Sequence, residues 1–174
     1  MIRVAVEMVL VVAVFAAAGA LCGWLWFTIW SPPAGIVVGN QWYPDPMEAG
    51  LRADFSGTGL YVVIALVSGL VLGAVTAYFF DRSELATLLA VAVGSALAGW
   101  LMLQVGLDLS PPDPDVLAKT AEDGTEFEGH LYVGSSADKD ATVNRPALLC
   151  FPAGALVGLS GAYLLTRSRR GTRR

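Results

Sequence analysis

Charged residues are scarce in this sequence, which has 15% Asp, Glu, Lys and Arg against 55% hydrophobic residues. They are nearly absent from four long stretches, residues 4–30, 60–80, 85–106 and 147–166. A helix needs about 20 apolar residues to cross a bilayer, and backbone groups in lipid must be satisfied within the helix. The scarcity of charge therefore excludes an ordinary soluble domain and predicts an all-α membrane protein, a single domain over 1–174 with four transmembrane helices.

Cysteine and histidine are also rare, with two cysteines and one histidine in 174 residues. Cys22 and Cys150 both fall inside predicted spans, whereas disulfide frameworks usually cross-link loops. We therefore interpret both cysteines as small packing residues. A bridge between them stays open, because both are expected in the outer half of the membrane.

The fourth span contains Gly158-Leu159-Ser160-Gly161, which is similar to the Gly-x-Ser-Gly element of rhomboid proteases. A nucleophilic Ser160 needs a base within hydrogen-bond reach. The only histidine, His130, lies in an outer loop, whereas Ser160 lies about 21 Å along the helix from Pro146. We therefore expect a packing role for these residues and no enzymatic activity.

A metal site is the other chemistry to consider. Glu126, Glu128 and His130 alternate along a segment that we expect to be a strand, so their side chains would project to one face. Two carboxylates and an imidazole can ligate a divalent metal, although solvated strand faces look the same. No fourth ligand follows at a recognisable spacing. We therefore predict no metal and no cofactor, with these three residues as the weak candidates.

Basic residues are concentrated in the tail 167–174, which contains five arginines. The positive-inside rule places this tail in the cytoplasm, and an even number of spans puts the N-terminus there as well. The outer loops are then 31–59 and 107–146, with twelve acidic residues against four basic ones and so a net charge of −8. We predict an inner (plasma) membrane protein with both termini cytoplasmic, an acidic outer face and no nucleic-acid partner.

Aromatic residues cluster at the outer end of the first span. They are Trp24, Trp26, Phe27 and Trp30, and Tyr61 begins the second span nearby. Tryptophan and tyrosine are enriched where a membrane meets water. We expect these rings to form an aromatic belt at the outer interface.

Parts of the sequence repeat one another. Residues 19–25, GALCGWL, align with 95–101, SALAGWL, at an offset of 76, and both helices run out into Ser-Pro-Pro. Residues 69–78 and 154–163 share two glycines, an alanine and a tyrosine at an offset of 85. These matches predict two tandem helical hairpins in parallel orientation, related by a pseudo-twofold axis along the membrane normal. Chance similarity between apolar helices remains the alternative.

Each span also carries two small residues four positions apart, which let helix backbones approach closely. Such faces can pack against other helices of the same bundle, or against another membrane protein or a second copy. Both kinds of contact rely on close backbone packing, so the sequence does not distinguish them. The pairs are Gly19/Gly23, Gly69/Gly73, Ser95/Gly99 and Gly154/Gly158.

The outer loops contain signals for a small β-containing cap. Residues 36–43 read as two β segments about a Gly-Asn turn, and residues 125–133 alternate polar and apolar side chains. A short helix is expected within 113–122, followed by an Asp-Gly turn at 123–124. We therefore predict that these segments fold over the outer end of the bundle.

Three short elements lie around the second outer loop. They are GLDLSPP at 106–112, followed by Asp115 and Ala118, then DGTxF at 123–127, and PALLxxP at 146–152. Together they resemble a family of uncharacterised actinobacterial multi-pass membrane proteins, known as a domain of unknown function. That family has no assigned activity, so no catalytic residue is carried over. The resemblance implies an inner-membrane protein with four spans.

Transport is constrained by the lack of charge inside the spans. Ion-coupled carriers usually bury ionisable groups near the midplane, and here only Glu7, toward the cytoplasmic end, falls within a span. We therefore expect a non-enzymatic accessory or scaffold subunit of an envelope or membrane complex, with the lipid bilayer and another membrane protein as partners. The alternative is a small transporter or channel component that works as a homo-oligomer.

Overall fold

The structure is a computed structural model that describes residues 2–79, 84–134 and 146–171. Most of these residues are helical, and four of the helices are long and apolar enough to cross a membrane, as the sequence predicts. They are α1, α2, α3 and α5, whereas α4 is a single short turn in the second outer loop. The helices are α1 (Ile2–Ile29), α2 (Met47–Phe79), α3 (Glu84–Leu109), α4 (Pro114–Ala118) and α5 (Cys150–Gly171), the last preceded by a 3-10 turn at Pro146–Leu149.

Helix α2 begins at Met47, well before the apolar stretch that starts at residue 60. Glu48 lies in its first turn, where a carboxylate is favoured by the helix dipole, and pairs with Arg52 at 3.3 Å. Both side chains are exposed, so this pair contributes little to stability. The apolar run therefore marks only the later part of α2, because the first turns also contain the charged residues Glu48, Arg52 and Asp54.

A three-stranded antiparallel sheet is built from the segments that join α1 to α2 and α3 to α5, with β1 (Ala34–Val38) between β2 (Gln41–Pro44) and β3 (Glu126–Glu128). Gly39 and Asn40 join β1 to β2 with φ values of 58° and 62°, a left-handed conformation that glycine and asparagine adopt at least cost. The predicted hairpin is therefore confirmed, and the third strand is a short part of the predicted 125–133 segment.

The second outer loop also has the predicted helix and turn. The Asp113 carboxylate caps α4 by accepting a hydrogen bond from the Asp115 backbone N–H at 3.0 Å. At the Asp-Gly turn, Asp123 Oδ1 accepts from the Gly39 N–H at 2.9 Å, and the Gly124 N–H donates to the Val37 carbonyl oxygen at 2.8 Å. These bonds fix the loop against the β1–β2 hairpin.

The chain divides into two compact units. The helical unit comprises residues 1–22, 62–102 and 148–174, and the cap unit comprises residues 23–61 and 103–147. In the helical unit, the rings of Phe15 and Phe151 are fully buried and meet edge to face, with centroids 6.3 Å apart. Each unit therefore has its own apolar core, and the core of the cap unit is built around tryptophan.

Trp26 is the centre of the cap-unit core. Its ring is fully buried, meets the buried Tyr61 ring edge to face at 5.2 Å, and donates from Nε1 to the Gly57 carbonyl oxygen at 2.8 Å. Trp30 is also buried, with Nε1 donating to the Ala53 carbonyl oxygen at 3.3 Å. The predicted aromatic belt is therefore wrong for Trp26, Trp30 and Tyr61, because all three rings are buried and both indole N–H groups bond to backbone carbonyl oxygens. Trp24 is exposed.

The two cysteines are free thiols, so no disulfide joins them. Cys22 is buried on α1, where its thiol donates to Ser68 Oγ of α2 at 3.2 Å. Cys150 is half-buried at the start of α5. The bridge that the sequence left open is thus not formed.

Candidate functional site

The small residues singled out in the sequence, Gly19, Gly23, Gly69, Gly73, Ser95, Gly99, Gly154 and Gly158, are all buried. Several of them lie directly against the backbone of another helix. A methyl group on Gly19 of α1 would lie 2.6 Å from Ala98 Cα of α3, which is closer than real Cβ atoms come. Backbone therefore meets backbone at this crossing, with no side chain between.

Helices α2 and α5 make such a contact in both directions. A Cβ on Gly69 would lie 3.0 Å from the Ala155 nitrogen, and a Cβ on Gly154 would lie 3.1 Å from the Leu70 nitrogen. Gly154 follows Gly69 by 85 residues, and Ala155 follows Leu70 by the same 85 residues. The glycine of each helix thus contacts the residue that follows the equivalent glycine of the other helix. Two elements related by a twofold axis are expected to pack in this reciprocal way.

The buried positions of α1 recur in α3, although α3 has further buried residues, such as Ala90, Gly94 and Leu103, whose counterparts in α1 are not buried. Each residue of α1 from Val4 onward that is buried has a buried counterpart 76 positions later in α3. The pairs are Val11/Thr87, Phe15/Val91, Gly19/Ser95, Cys22/Ala98, Gly23/Gly99 and Trp26/Met102.

Polar groups inside the helical unit are few and small. Among the side chains described, the buried polar ones are Thr76, Thr87 and Ser95. Thr76 Oγ1 donates to the Leu72 carbonyl oxygen at 2.7 Å, and Ser95 Oγ donates to the Ala92 carbonyl oxygen at 3.1 Å, so both are satisfied within their own helix. Ser160 lies on an exposed face of α5.

Glu7, the one ionisable residue that the sequence places inside a span, is half-buried. With Thr87 it lines a cavity of about 10 Å³. A cavity of that volume holds about one water molecule. This part of the helical unit therefore offers no room for a solute.

The cap unit contains a larger cavity, which we call the cap cleft. Its volume is about 330 Å³, at the lower end of the range for small-molecule pockets. Strand β2 contributes Trp42 and Pro44, the first turns of α2 contribute Met47 and Asp54, and the segment 129–132 closes another side. Residues distant in sequence therefore meet around one space.

The walls of the cap cleft are held in place by close packing. Gly50 and Gly129 lie so near to proline rings that added Cβ atoms would come within 2.7 Å of Pro44 Cβ and 2.6 Å of Pro33 Cγ. The Trp42 ring is fixed because Nε1 donates to the Phe127 carbonyl oxygen at 3.2 Å. Because these walls are already ordered, ligand binding would cost the protein little conformational entropy.

Among the described residues, the polar side chains that line the cap cleft are Asp54, Asp115, His130 and Tyr132. His130 Nδ1 lies 2.6 Å from the Pro111 carbonyl oxygen. A carbonyl oxygen only accepts, so Nδ1 carries the proton, and in the neutral ring Nε2 is an acceptor. The His130 and Tyr132 rings meet edge to face with centroids 4.9 Å apart. The cleft is thus an acidic and aromatic space.

The weak metal candidates are placed apart by the fold. Glu126 and Glu128 are exposed on β3 and do not line the cap cleft, whereas His130 lies beyond the strand and does line it. Within residues 2–79, 84–134 and 146–171, no three His, Cys, Asp or Glu side chains are grouped closely enough to hold a metal ion.

Comparisons with protein-family models, with curated proteins and with solved structures found no match. The resemblance of residues 106–112, 123–127 and 146–152 to the actinobacterial family therefore stays a prediction. Function has to be inferred from the geometry of the two units.

The sequence did not indicate the cap cleft. Asp54 enters the sequence analysis as one of the outer-loop acids, and Asp115 enters it as part of the predicted short helix and of the family resemblance. No motif joins them to Trp42, because β2, α2 and α4 meet only through the tertiary fold. The proline at position 44, which ends β2 against Gly50, is the only local signal of a wall there.

Proposed function

We propose that the protein is an integral protein of the inner (plasma) membrane, crossed by α1, α2, α3 and α5, with both termini cytoplasmic. The long helices expose large apolar side chains such as Val9, Leu21, Val63 and Val157, each at least 60% exposed. Apolar surface of this extent is rare on soluble monomers and is covered by acyl chains in a bilayer. The five arginines of residues 167–174 support the orientation.

We also infer that the hairpin α1–α2 and the hairpin α3–α5 are tandem parallel repeats. The supporting observation is the reciprocal packing of α2 and α5 at an offset of 85 residues, together with the matched burial of α1 and α3 at an offset of 76. Chance similarity between apolar helices accounts for shared glycines. It does not account for glycines that contact equivalent residues in both directions.

The function that these features support best is that of a non-enzymatic accessory or scaffold subunit in an envelope or membrane complex. The observation that carries this proposal is the acidic surface of the cap unit, where the exposed bases are Arg52 and Lys119 among the residues described. Such a surface suits a partner membrane protein with a basic extracytoplasmic segment. The exposed acidic residues are Asp45, Glu48, Asp108, Glu122, Asp123, Glu126 and Glu128.

A partner protein is more readily bound by the cap unit than by the glycine-containing helix faces, because those faces already contact other helices. The glycines of α2 and α5 lie against each other's backbones, and Gly19 of α1 lies against α3. A partner helix would have to displace these contacts to use the same faces. Association through the helices, with a partner or with a second copy, is therefore disfavoured at these positions.

Purification of the tagged full-length protein in a mild detergent tests the proposal. We expect one membrane protein to copurify in constant proportion, and to be lost when Glu126→Gln and Glu128→Gln are combined, because both carboxylates are exposed on β3. Removal of an exposed positive charge by Lys119→Gln is the matched control and should leave recovery unchanged or raise it. Repeated recovery of the protein alone, or solute flux through reconstituted liposomes, would contradict the accessory role.

A further inference from the structure

We propose that the first three turns of α2, which belong to the cap unit, lie in the outer leaflet of the bilayer, with Met47, Leu51 and Phe55 facing lipid. The proposal rests on the proposed membrane insertion of α2. It goes beyond that insertion, because the apolar stretches of the sequence place residues 31–59 in an outer loop. Three observations support it: a continuous row of exposed residues along α2, the contacts between α1 and α2, and the length of the row.

An unbroken row of exposed residues runs along α2. Its members are four residues apart, so they follow one another along the helix surface. None of them is charged, and each of the side chains is at least 46% exposed. At Gly59 no described atom beyond its own helix lies within 4 Å of an added Cβ. The row consists of Met47, Leu51, Phe55, Gly59, Val63, Val67, Val71, Val75 and Phe79. The surface that we assign to lipid therefore continues along α2 into the cap unit.

The opposite side of α2 faces the protein over the same length. It is a second row at the same spacing, made of Ala53, Gly57, Tyr61, Ala65, Gly69, Gly73 and Ala77, all of them buried. Within the cap unit, Trp30 Nε1 donates to the Ala53 carbonyl oxygen, and Trp26 Nε1 donates to the Gly57 carbonyl oxygen. These bonds fix the rotation of α2, so the exposed row stays turned away from the cap-unit core.

The same two hydrogen bonds set the depth of the first turns. Trp26 and Trp30 belong to the apolar stretch 4–30 of α1, which we assign to the membrane. The residues of α2 that they contact lie at the same depth, and Phe55 lies between those residues in the sequence. Phe55 is therefore level with the outer end of the α1 span, although the apolar stretch of α2 begins only at Leu60. Lipid thus reaches further along α2 than its apolar stretch indicates.

The length of the row matches the thickness of a bilayer. From Met47 to Phe79 the helix is about 48 Å long at 1.5 Å per residue. At the average helix tilt of about 20°, this length covers about 45 Å of the membrane normal. A hydrocarbon core with both headgroup layers is about 40–45 Å thick. Met47 is then at the outer edge of the headgroup layer, Phe55 is near the edge of the hydrocarbon core, and the exposed Tyr78 is at the inner interface, where tyrosine is enriched.

Spin labels on single cysteines test this depth in the full-length protein, in nanodiscs of phosphatidylcholine and phosphatidylglycerol. Cys22→Ala with Cys150→Ala supplies the cysteine-free background. A label at Phe55→Cys should be reached by oxygen, which concentrates in lipid, more than by a water-soluble nickel chelate. The ratio of the two accessibilities should be within twofold of that at Val71→Cys, the lipid reference. Glu126→Cys, at an exposed position of β3, is the water reference and should show the opposite preference.

The outcomes separate this proposal from the membrane assignment on which it rests. A label at Phe55 that lies in water, with the label at Val71 in lipid, overturns this proposal alone. A label at Phe55 that neither reagent reaches shows that a protein surface covers the row, from a partner or a second copy, and also overturns it. A label at Val71 that lies in water overturns the membrane assignment as well.

A measurement on the unmutated protein keeps the test independent of folding defects. The methionines are labelled with ¹³C-methyl groups, and the nanodiscs contain a phospholipid that is spin-labelled near the headgroup end of its acyl chain. The signal of Met47, which is 67% exposed, should broaden at least twofold more than the signal of the fully buried Met102. Equal broadening of the two signals would contradict the placement of Met47 in the outer leaflet.

Discussion

Gly73 of α2 and Gly158 of α5 occupy equivalent places in one helix crossing. A Cβ on Gly73 would lie 3.0 Å from Ala155 Cα, and a Cβ on Gly158 would lie 3.0 Å from Leu70 Cα. Each position is closer still to the carbonyl oxygen of the same residue. Without a hydrophobic driving force between helices in lipid, such close backbone packing is what holds two helices together. We therefore expect this crossing to contribute most to the stability of the helical unit.

Substitution of either glycine should destabilise the protein. Gly73→Ala and Gly158→Ala each push the helix backbones apart, which typically costs about 1–3 kcal/mol and outweighs the roughly 1 kcal/mol that alanine gains over glycine in a helix. The free energy of unfolding in a detergent titration measures this. Gly161→Ala on α5 is the matched control, since no described atom beyond its own helix lies within 4 Å of its added Cβ, and it should be neutral or stabilising. Equal stabilities for all three variants would show that the crossing is looser than described.

Trp26→Phe should destabilise the cap unit. The change removes the hydrogen bond to the Gly57 carbonyl oxygen and leaves part of a fully buried space unfilled. We expect a loss of about 1–3 kcal/mol, seen as a lower thermal midpoint in detergent. Trp24→Phe is the control, because the Trp24 ring is 55% exposed and should tolerate the change. A belt tryptophan at position 26 would instead behave as Trp24 does.

The β1–β2 turn makes a separate prediction. Gly39 has φ of 58° with open space around it, so Gly39→Val introduces backbone strain without a clash. A left-handed conformation costs a β-branched residue at least about 1–2 kcal/mol. Hydrogen exchange at the Val37 amide, which donates to the Thr125 carbonyl oxygen, should become faster. Gly39→Asn is the control, because asparagine tolerates the φ of 58° better than valine and should speed the exchange less; equal acceleration by both variants would argue against a strained turn.

The proposed topology can be tested by cysteine labelling in intact cells. Glu126→Cys places a thiol at an exposed position of β3 and should react with a membrane-impermeant maleimide. Arg170→Cys, in the basic tail, should react only after the cells are permeabilised. The parent protein gives a low background because Cys22 is buried and Cys150 is half-buried. Labelling of the tail in intact cells would reverse the orientation.

The sequence predicted those parts of the fold that depend on local composition. Apolar runs located the four long helices, and the Gly39-Asn40 and Asp-Gly pairs located turns, because these residues decide backbone conformation on their own. It could not predict that Trp26 faces inward or that α2 begins at Met47. Helix rotation depends on packing with Tyr61 and Gly57, and the first turns of α2 mix charged residues with apolar ones. The cap cleft could not be predicted either, because its lining residues meet only through tertiary packing.

The pairing of the helices has a further consequence for assembly. The close contacts described between α1 and α3 and between α2 and α5 join the first half of the chain to the second. Each half expressed separately would therefore keep an unfilled groove beside its glycines. Coexpressed fragments 1–82 and 83–174 should recombine into one stable complex, and an isolated fragment should pair with a copy of itself.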